Sequence, residues 1–164
     1  MGEQKKKKIG FHIAISTIAG IILAVTIFLL VILKPFDTVT PIDLGPGNYG
    51  VSEVKDIDST EYKQMINDKK SFVAMIDNPG CVTTAKMRDM MSSFSDNLKF
   101  TYYRIYWQDT KETNIREKVK YFPSIIIVDH GKIVAALDAD SDEDAKYYNN
   151  AADLETWLKK YIKF

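Results

Sequence analysis

This chain of 164 residues reads as an α/β domain preceded by a single transmembrane helix. Three features predict it. A run of about 25 apolar residues stands near the N-terminus, apolar periods of two and of about 3.6 residues alternate from residue 51 onward, and a strand, a tight turn and a strand precede a last amphipathic helix.

The apolar run covers residues 9–33 and contains no Asp, Glu, Lys or Arg. As a helix it reaches roughly 37 Å, enough to cross a hydrocarbon core of about 30 Å with some tilt. It exceeds the roughly 7 to 15 apolar residues of a secretory signal, and no small-residue cleavage pattern follows Leu33, so an uncleaved anchor over residues 9–34 is expected. Lys5, Lys6, Lys7 and Lys8 precede it and only Lys34 follows closely. By the positive-inside rule residues 1–8 form a cytoplasmic basic tail and everything after the anchor faces outward. The expected location is the cell membrane, single-pass, with the lipid bilayer as one partner. Residues 35–50, punctuated by Pro41, Pro46, Gly45, Gly47 and Gly50 without sustained periodicity, are expected to be a linker.

Within residues 51–164 the elements follow in order. Residues 51–57 form a weak strand, and Asp58-Ser59-Thr60-Glu61 has the form of a capping box, with Tyr62, Met65 and Ile66 at helical spacing behind it. Residues 72–76 are a buried-type strand. After Cys81, Met87, Met90, Met91 and Phe94 recur at i, i+3, i+4 and i+7, one buried helical face. Residues 100–107 are aromatic and β-branched, and alternation sends Tyr103 and Ile105 to one face and Tyr102, Arg104 and Tyr106 to the other. Residues 110–120 are charged and helical in pattern. Residues 124–128, the turn Asp129-His130-Gly131 and residues 132–137 form a hairpin, and Leu154, Trp157, Leu158, Tyr161 and Ile162 define the buried face of a last helix.

Net charge is formally zero but unevenly placed: the first 36 residues hold five lysines against Glu3, leaving 17 basic and 21 acidic residues beyond them. Such a mildly acidic module offers no electrostatic footprint for nucleic acid. Cys81 is the single cysteine, so no internal disulfide can form and a hydrophobic core must hold the fold. It stands where a strand gives way to a helix, and the unpaired N–H groups and partial positive charge of a helix N-terminus stabilise a thiolate. Two readings are open: a nucleophile that forms mixed disulfides, or a small buried apolar residue.

The order β-α-β-α-β-α-β-β-α, with Cys81 at the carboxyl end of the second strand, resembles the thioredoxin fold, in which sites gather at strand carboxyl ends as in other open α/β sheets. Cys81-Val82-Thr83-Thr84 stands where thioredoxins carry Cys-x-x-Cys. Val119-Lys120-Tyr121-Phe122-Pro123 and the strand after it resemble the segment that holds their cis-proline. The resemblance implies a central mixed sheet flanked by helices over residues 51–164. Three departures are plain: Thr84 replaces the resolving cysteine, Gly80 stands where tryptophan is usual, and Met75 or Ala74 falls where a buried aspartate is common.

In a dithiol enzyme the second thiol releases the substrate, and without it release awaits an external thiol. The resemblance therefore implies monothiol exchange rather than dithiol reduction, with Cys81 and Thr84 as the catalytic pair, the Thr84 hydroxyl supporting the thiolate. It implies Gly80, Phe122 and Pro123 as substrate-binding positions, on which an extended segment of an extracytoplasmic protein pairs. No cofactor is implied. The alternative is a non-catalytic module that holds an extended peptide or a partner subunit of an envelope or secretion complex in the same groove.

Other patterns are weaker. The acidic stretch from Asp138 to Asp144 begins like an EF-hand loop, but Glu143 replaces the turn glycine and Asn149 the bidentate glutamate, so a solvated acidic loop is expected. His130 reads as an exposed turn residue. One cysteine and two histidines on opposite sides of a membrane make no zinc set.

Overall fold

The computed structural model describes residue 20, residues 22–29 and residues 39–164. The chain divides into two units, Met1–Thr38 and Val39–Phe164. In the first, residues 22–29 are helical, with Ile22, Leu23 and Phe28 exposed and the Thr26 hydroxyl donating to the Ile22 carbonyl. The basic tail and most of the expected anchor over residues 9–34 lie outside the described residues, and among the described residues no helix is long and apolar enough to cross a membrane.

The second unit is built on five strands: β1 (Glu53–Asp56), β2 (Phe72–Asp77), β3 (Thr101–Tyr106), β4 (Ser124–Asp129) and β5 (Lys132–Ala136), ordered β1-β3-β2-β4-β5. β3 runs parallel to both β1 and β2, whereas β4 is antiparallel to β2 and to β5. The helices are α1 (Ser59–Asn67), α2 (Val82–Leu98), α3 (Ile115–Lys118) and α4 (Ala151–Tyr161), with 3-10 turns at Trp107–Glu112 and Ala145–Tyr148.

The period of two in the central strands divides the apolar residues between two cores. Val73 and Met75 of β2 join Ile125 and Ile127 of β4 beneath α2 and α4, against Met87, Met91, Phe94, Leu154, Trp157 and Leu158. Phe72, Ala74 and Ile76, with Ile126 and Val128, face the other way onto Tyr62, Met65, Ile115 and Val119. A sheet covered on both faces explains why β2 and β4 read as continuous apolar runs. Each large side chain taken fully from water contributes about 1.5–3 kcal/mol. β3 alternates as expected, Tyr102 entering the first core while Ile105 and Tyr103 go to the second.

Local chemistry sets the element ends. The Asp58 carboxylate accepts from the Thr60 and Glu61 N–H groups while the Glu61 side chain accepts from the Asp58 N–H, a complete capping box on α1. Asn150 caps α4 by accepting from the Asp153 N–H. At the β4–β5 turn His130 (φ 47°) and Gly131 (φ 75°) both take positive φ, as a two-residue type I′ turn requires, and the Gly131 N–H donates to Lys70.

Residues 110–120 depart from the expected single helix. The 3-10 turn ends at Glu112, Thr113 is extended (φ −118°, ψ 162°), and only Ile115–Lys118 is α-helical. Hydroxyl bonds explain the break: Thr110 donates to the Trp107 carbonyl and Thr113 to the Thr110 carbonyl, competing with helix continuation.

Compact packing begins at Val39, earlier than the sequence boundary at 51. Ile42 forms a parallel bridge with Ile162, Tyr49 an antiparallel bridge with Phe100, and the Tyr49 hydroxyl donates to the Lys163 carbonyl. Leu44 is buried in the first core. The Pro and Gly punctuation bends this segment along the domain while its apolar residues dock.

Candidate functional site

β2 carries the chain to Asp77, and Asn78-Pro79-Gly80 turns it into α2, with the Cys81 N–H donating to the Asn78 carbonyl at 3.1 Å. Gly80 has φ 125°, a backbone state that side chains resist, and open space lies where its Cβ would be. Cys81 (φ −96°, ψ 128°) is the N-cap of the 17-residue helix α2, a free and partly exposed thiol. Its carbonyl receives the Thr84 and Ala85 N–H groups, at 3.1 and 3.3 Å.

The Cys81 thiol is held below its ordinary pKa. The nearby Thr84 backbone N–H is the main cause; partial burial opposes it, and the Thr83 N–H and the Thr83 and Thr84 hydroxyls add to the lowering. Thr84 is fully buried, and its Oγ1 makes no well-formed hydrogen bond to another protein group. Of the causes that lower the Cys81 pKa, this hydroxyl is the smallest.

At the start of α2, next in sequence to Cys81, lies an open cavity of about 460 Å³ lined by Val82, Thr83 and Lys86 of α2, Phe122 and Pro123, and Ala139, Ala145, Tyr148 and Asn149 of the segment after β5; Cys81, Gly80 and Thr84 are not among its lining residues. The Phe122–Pro123 peptide bond is cis. Val82 is 88% exposed, an apolar side chain set at the mouth of the groove next to the thiol. Tyr148 forms the floor: its hydroxyl shares its proton between the Pro123 carbonyl at 3.1 Å and the Leu137 carbonyl at 3.3 Å. Burial raises the Tyr148 pKa, so this hydroxyl stays a donor at neutral pH.

Two further clusters hold the frame. The Arg116 guanidinium packs over the rings of Phe122 (4.8 Å) and Trp107 (5.5 Å), while its Nε donates to the Thr110 hydroxyl at 2.7 Å and an Nη to the Trp107 carbonyl at 3.0 Å. This stack fixes Phe122. At the carboxyl ends of the parallel strands, Asp77 is fully buried and paired with Arg88, with Arg104 at 3.8 Å and itself doubly bonded to Asp56.

Of the residues singled out from sequence, Cys81 and Thr84 share one helix turn, Gly80 precedes them, and Phe122 and Pro123 face the start of α2 across the groove. Val82, Thr83, Lys86, Tyr148 and Asn149 were not legible as site residues. For Val82 and Thr83 adjacency to Cys81 was the available signal; Tyr148 offered none, because the turn that buries it lies in a segment without apolar period. Among the described residues no cluster of three or more His, Cys, Asp or Glu could hold a metal ion.

Solved structures share this architecture. Oxidised thioredoxin from Plasmodium falciparum matches with a TM-score of 0.53 at 14% identity, covering 68% of this chain and 100% of that one. The reduced thioredoxin pre-protein of Schistosoma mansoni gives 0.51 at 18%, again covering 68% of this chain and 100% of its own. Thioredoxin NaTrxh from Nicotiana alata gives 0.53 at 15%, covering 70% and 96%. At these identities the likeness is one of fold, and the fold is that of thioredoxin. No protein-family model matches the sequence, and neither does any curated protein.

Proposed function

We propose that this thioredoxin-fold chain is a membrane-anchored, outward-facing protein that exchanges disulfides through one thiol, Cys81. The observation that carries the proposal is the thiol itself: partly exposed, at the N-cap of α2, with its pKa lowered chiefly by the Thr84 N–H. A helix terminus that stabilises the thiolate raises the reactive fraction at neutral pH.

In the first step the Cys81 thiolate attacks one sulfur of a substrate disulfide. A Cys81–substrate disulfide forms, and the other sulfur leaves as a thiolate. With no second cysteine in the chain, an external thiolate then attacks the substrate sulfur of the mixed disulfide, forming a disulfide between itself and the substrate and expelling Cys81 as the thiolate. The electrons come from that external thiol. Thr84 supports the thiolate, while Gly80, Phe122 and Pro123 border the substrate. The anchor over residues 9–34 is supported by its apolar length and by the lysines before it.

The test uses the full-length chain in neutral detergent, incubated with hydroxyethyl disulfide and read by intact mass. One adduct per chain, absent from Cys81→Ser and removed by added thiol, is expected. An unreactive thiol in the folded protein overturns the proposal. Protease protection of residues 39–164 in sealed inside-out vesicles tests the orientation.

The open groove favours a second reading, a module that holds an extended peptide without electron transfer. Cys81→Ser retaining full activity in the cell is the outcome that selects it.

A further inference from the structure

Cations gather at the end of the domain where the chain enters it. Helices α1, α2 and α4 all finish there: α1 and α2 lead into the first residues of the parallel strands β2 and β3, and α4 ends beside Ile42, whose N–H donates to the Tyr161 carbonyl at 2.8 Å. Each helix is followed by lysine, as a helix C-terminus favours: Lys69 and Lys70 after α1, Lys99 at the C-cap of α2 and Lys163 after α4.

Close contacts hold these lysines to the entry segment, residues 39–51. The Lys99 carbonyl accepts from the Gly50 N–H at 2.8 Å, and the Lys163 N–H donates to the Ile42 carbonyl at 2.9 Å. Lys70 lines an open hollow of about 300 Å³ with Leu44, Pro46, Asn48 and Tyr103. All four lysines are exposed; among the described residues Lys55, Lys63 and Lys159 carry ion pairs, and none of these four does. Of the acids at this end, Asp43 accepts from the Gly45 N–H, Asp96 from the Ser52 hydroxyl and Asp129 from the Ser71 hydroxyl, and Glu53 pairs with Lys55, which leaves Asp68. Apolar groups stand exposed beside the lysines: Val39, Val51 next to Gly50, and Phe164, whose ring packs against Phe100.

We propose that this end of the domain docks on the anionic headgroups of the membrane that holds the anchor, through Lys69, Lys70, Lys99 and Lys163, with Val51 and Phe164 meeting the interface. The inference rests on the anchor reading of residues 9–34. On that reading Val39 follows the anchor by five Cα steps of at most about 3.6 Å, so it lies within about 18 Å of the anchor's end. The headgroup layer takes up about 5–7 Å of that reach. What is left is close to the Debye length of about 8–10 Å, so lysines held to residues 39–51 stay within the field of the lipid phosphates. Cys81 and Lys99 cap opposite ends of the 17-residue helix α2, about 25 Å long. Docking at the Lys99 end therefore leaves the thiol at the far end of that helix, open to soluble partners.

The experiment places the full-length chain in vesicles of phosphatidylcholine alone and of phosphatidylcholine mixed with phosphatidylglycerol, a fraction of the lipid carrying a nitroxide on its headgroup. A nitrobenzoxadiazole label is attached through Asn97→Cys, an exposed site near the end of α2, in a Cys81→Ser background, or to Cys81 itself for comparison. In the mixed vesicles the label at position 97 is expected to be quenched at least about threefold more than in phosphatidylcholine. That excess is expected to vanish at about 1 M salt, where the Debye length falls to about 3 Å. The combined variant Lys69→Gln, Lys70→Gln, Lys99→Gln, Lys163→Gln should lose it as well, while the label on Cys81 should stay unquenched in both lipids. Equal quenching at position 97 in the two lipids, an excess that the lysine variant keeps, or stronger quenching at Cys81 than at position 97 overturns the docking. A chain that alkaline carbonate strips from both kinds of vesicle overturns the anchor reading instead.

Discussion

The carboxylate of Asp77, fully buried at the end of β2, is grasped by both ends of the Arg88 guanidinium from α2, with Nε and Nη2 each 2.6 Å from a carboxylate oxygen. This pair joins the strand that precedes Cys81 to the helix that follows it. Arg88 is held above its ordinary pKa chiefly by that bond, so it is charged at every accessible pH. Bidentate geometry also fixes the helix in azimuth, which a single lysine contact does not do.

Removing Arg88 leaves a buried carboxylate with Arg104 at 3.8 Å as its remaining cation. Breaking a buried pair costs about 3–5 kcal/mol, and the partial exposure of Arg88 together with the Arg104 charge reduces this, so Arg88→Ala is expected to cost about 2–3 kcal/mol. Arg88→Lys is expected to recover less than half. Urea midpoints at constant m-value measure both, and a loss below about 0.5 kcal/mol in Arg88→Ala contradicts the assignment.

Thr84 acts on Cys81 through two groups, and substitution separates them. Thr84→Val keeps the backbone N–H that dominates the lowered pKa and removes the hydroxyl. A small rise of the Cys81 pKa is expected, with slower alkylation at pH 7, whereas Thr84→Ser restores the rate. Stability should hold or rise, because the lost hydroxyl is buried without a well-formed partner. Alkylation rate against pH reads the shift; superimposable profiles for wild type and Thr84→Val refute the role.

Three buried tyrosines govern the alkaline limit. Desolvation raises the phenol pKa of Tyr62 and of Tyr148, and pushes that of Tyr102 up to about 12. Each folded value lies above the unfolded value of about 10, so the neutral phenol is favoured by folding. That stabilisation is complete below pH of about 10 and is lost progressively as pH rises toward the folded values. Unfolding midpoints should therefore fall from pH of about 10 upward, and less steeply in Tyr148→Phe. The same variant is expected to cost about 1–2 kcal/mol at pH 7, since Tyr148 is the donor shared by the Pro123 and Leu137 carbonyls. A flat profile up to pH of about 11 in the wild type is the contrary outcome.

Gly131 is confined twice over. A Cβ there would sit 2.3 Å from the Ile66 carbonyl oxygen, a backbone atom, and φ 75° disfavours any side chain. Gly131→Ala is expected to cost about 2 kcal/mol or more, seen as a lowered Tm. Because the turn stands away from Cys81, the alkylation rate of the remaining folded protein should not change.

Much of the fold was legible because periodicity and local capping are sequence-local. The continuous runs of β2 and β4, the Met87–Met91–Phe94 face of α2 and the Asp58–Glu61 box each name their own element. The break at Thr113 was hidden because charged residues fit a helix by pattern while Thr110 and Thr113 choose local hydroxyl bonds. The docking of residues 39–50 was hidden for a different reason: Ile42 and Tyr49 find partners more than fifty residues away, at Ile162 and Phe100. At the site, Cys81, Thr84 and Pro123 were visible as a motif with its spacing. Tyr148 was not, since nothing local announces that the segment after β5 folds back against the groove.

Ile42 donates to the Tyr161 carbonyl and accepts from the Lys163 N–H, so the segment that enters the domain is held by the segment that leaves it. Synthesis runs from one to the other. The strands and α2 can find their partners as they emerge, but the backbone N–H and carbonyl of Ile42 have theirs only once residues 161–163 have cleared the ribosome. Closure of the domain thus waits on residues 161–163: the first stretch of this unit to be made is among the last to be fastened.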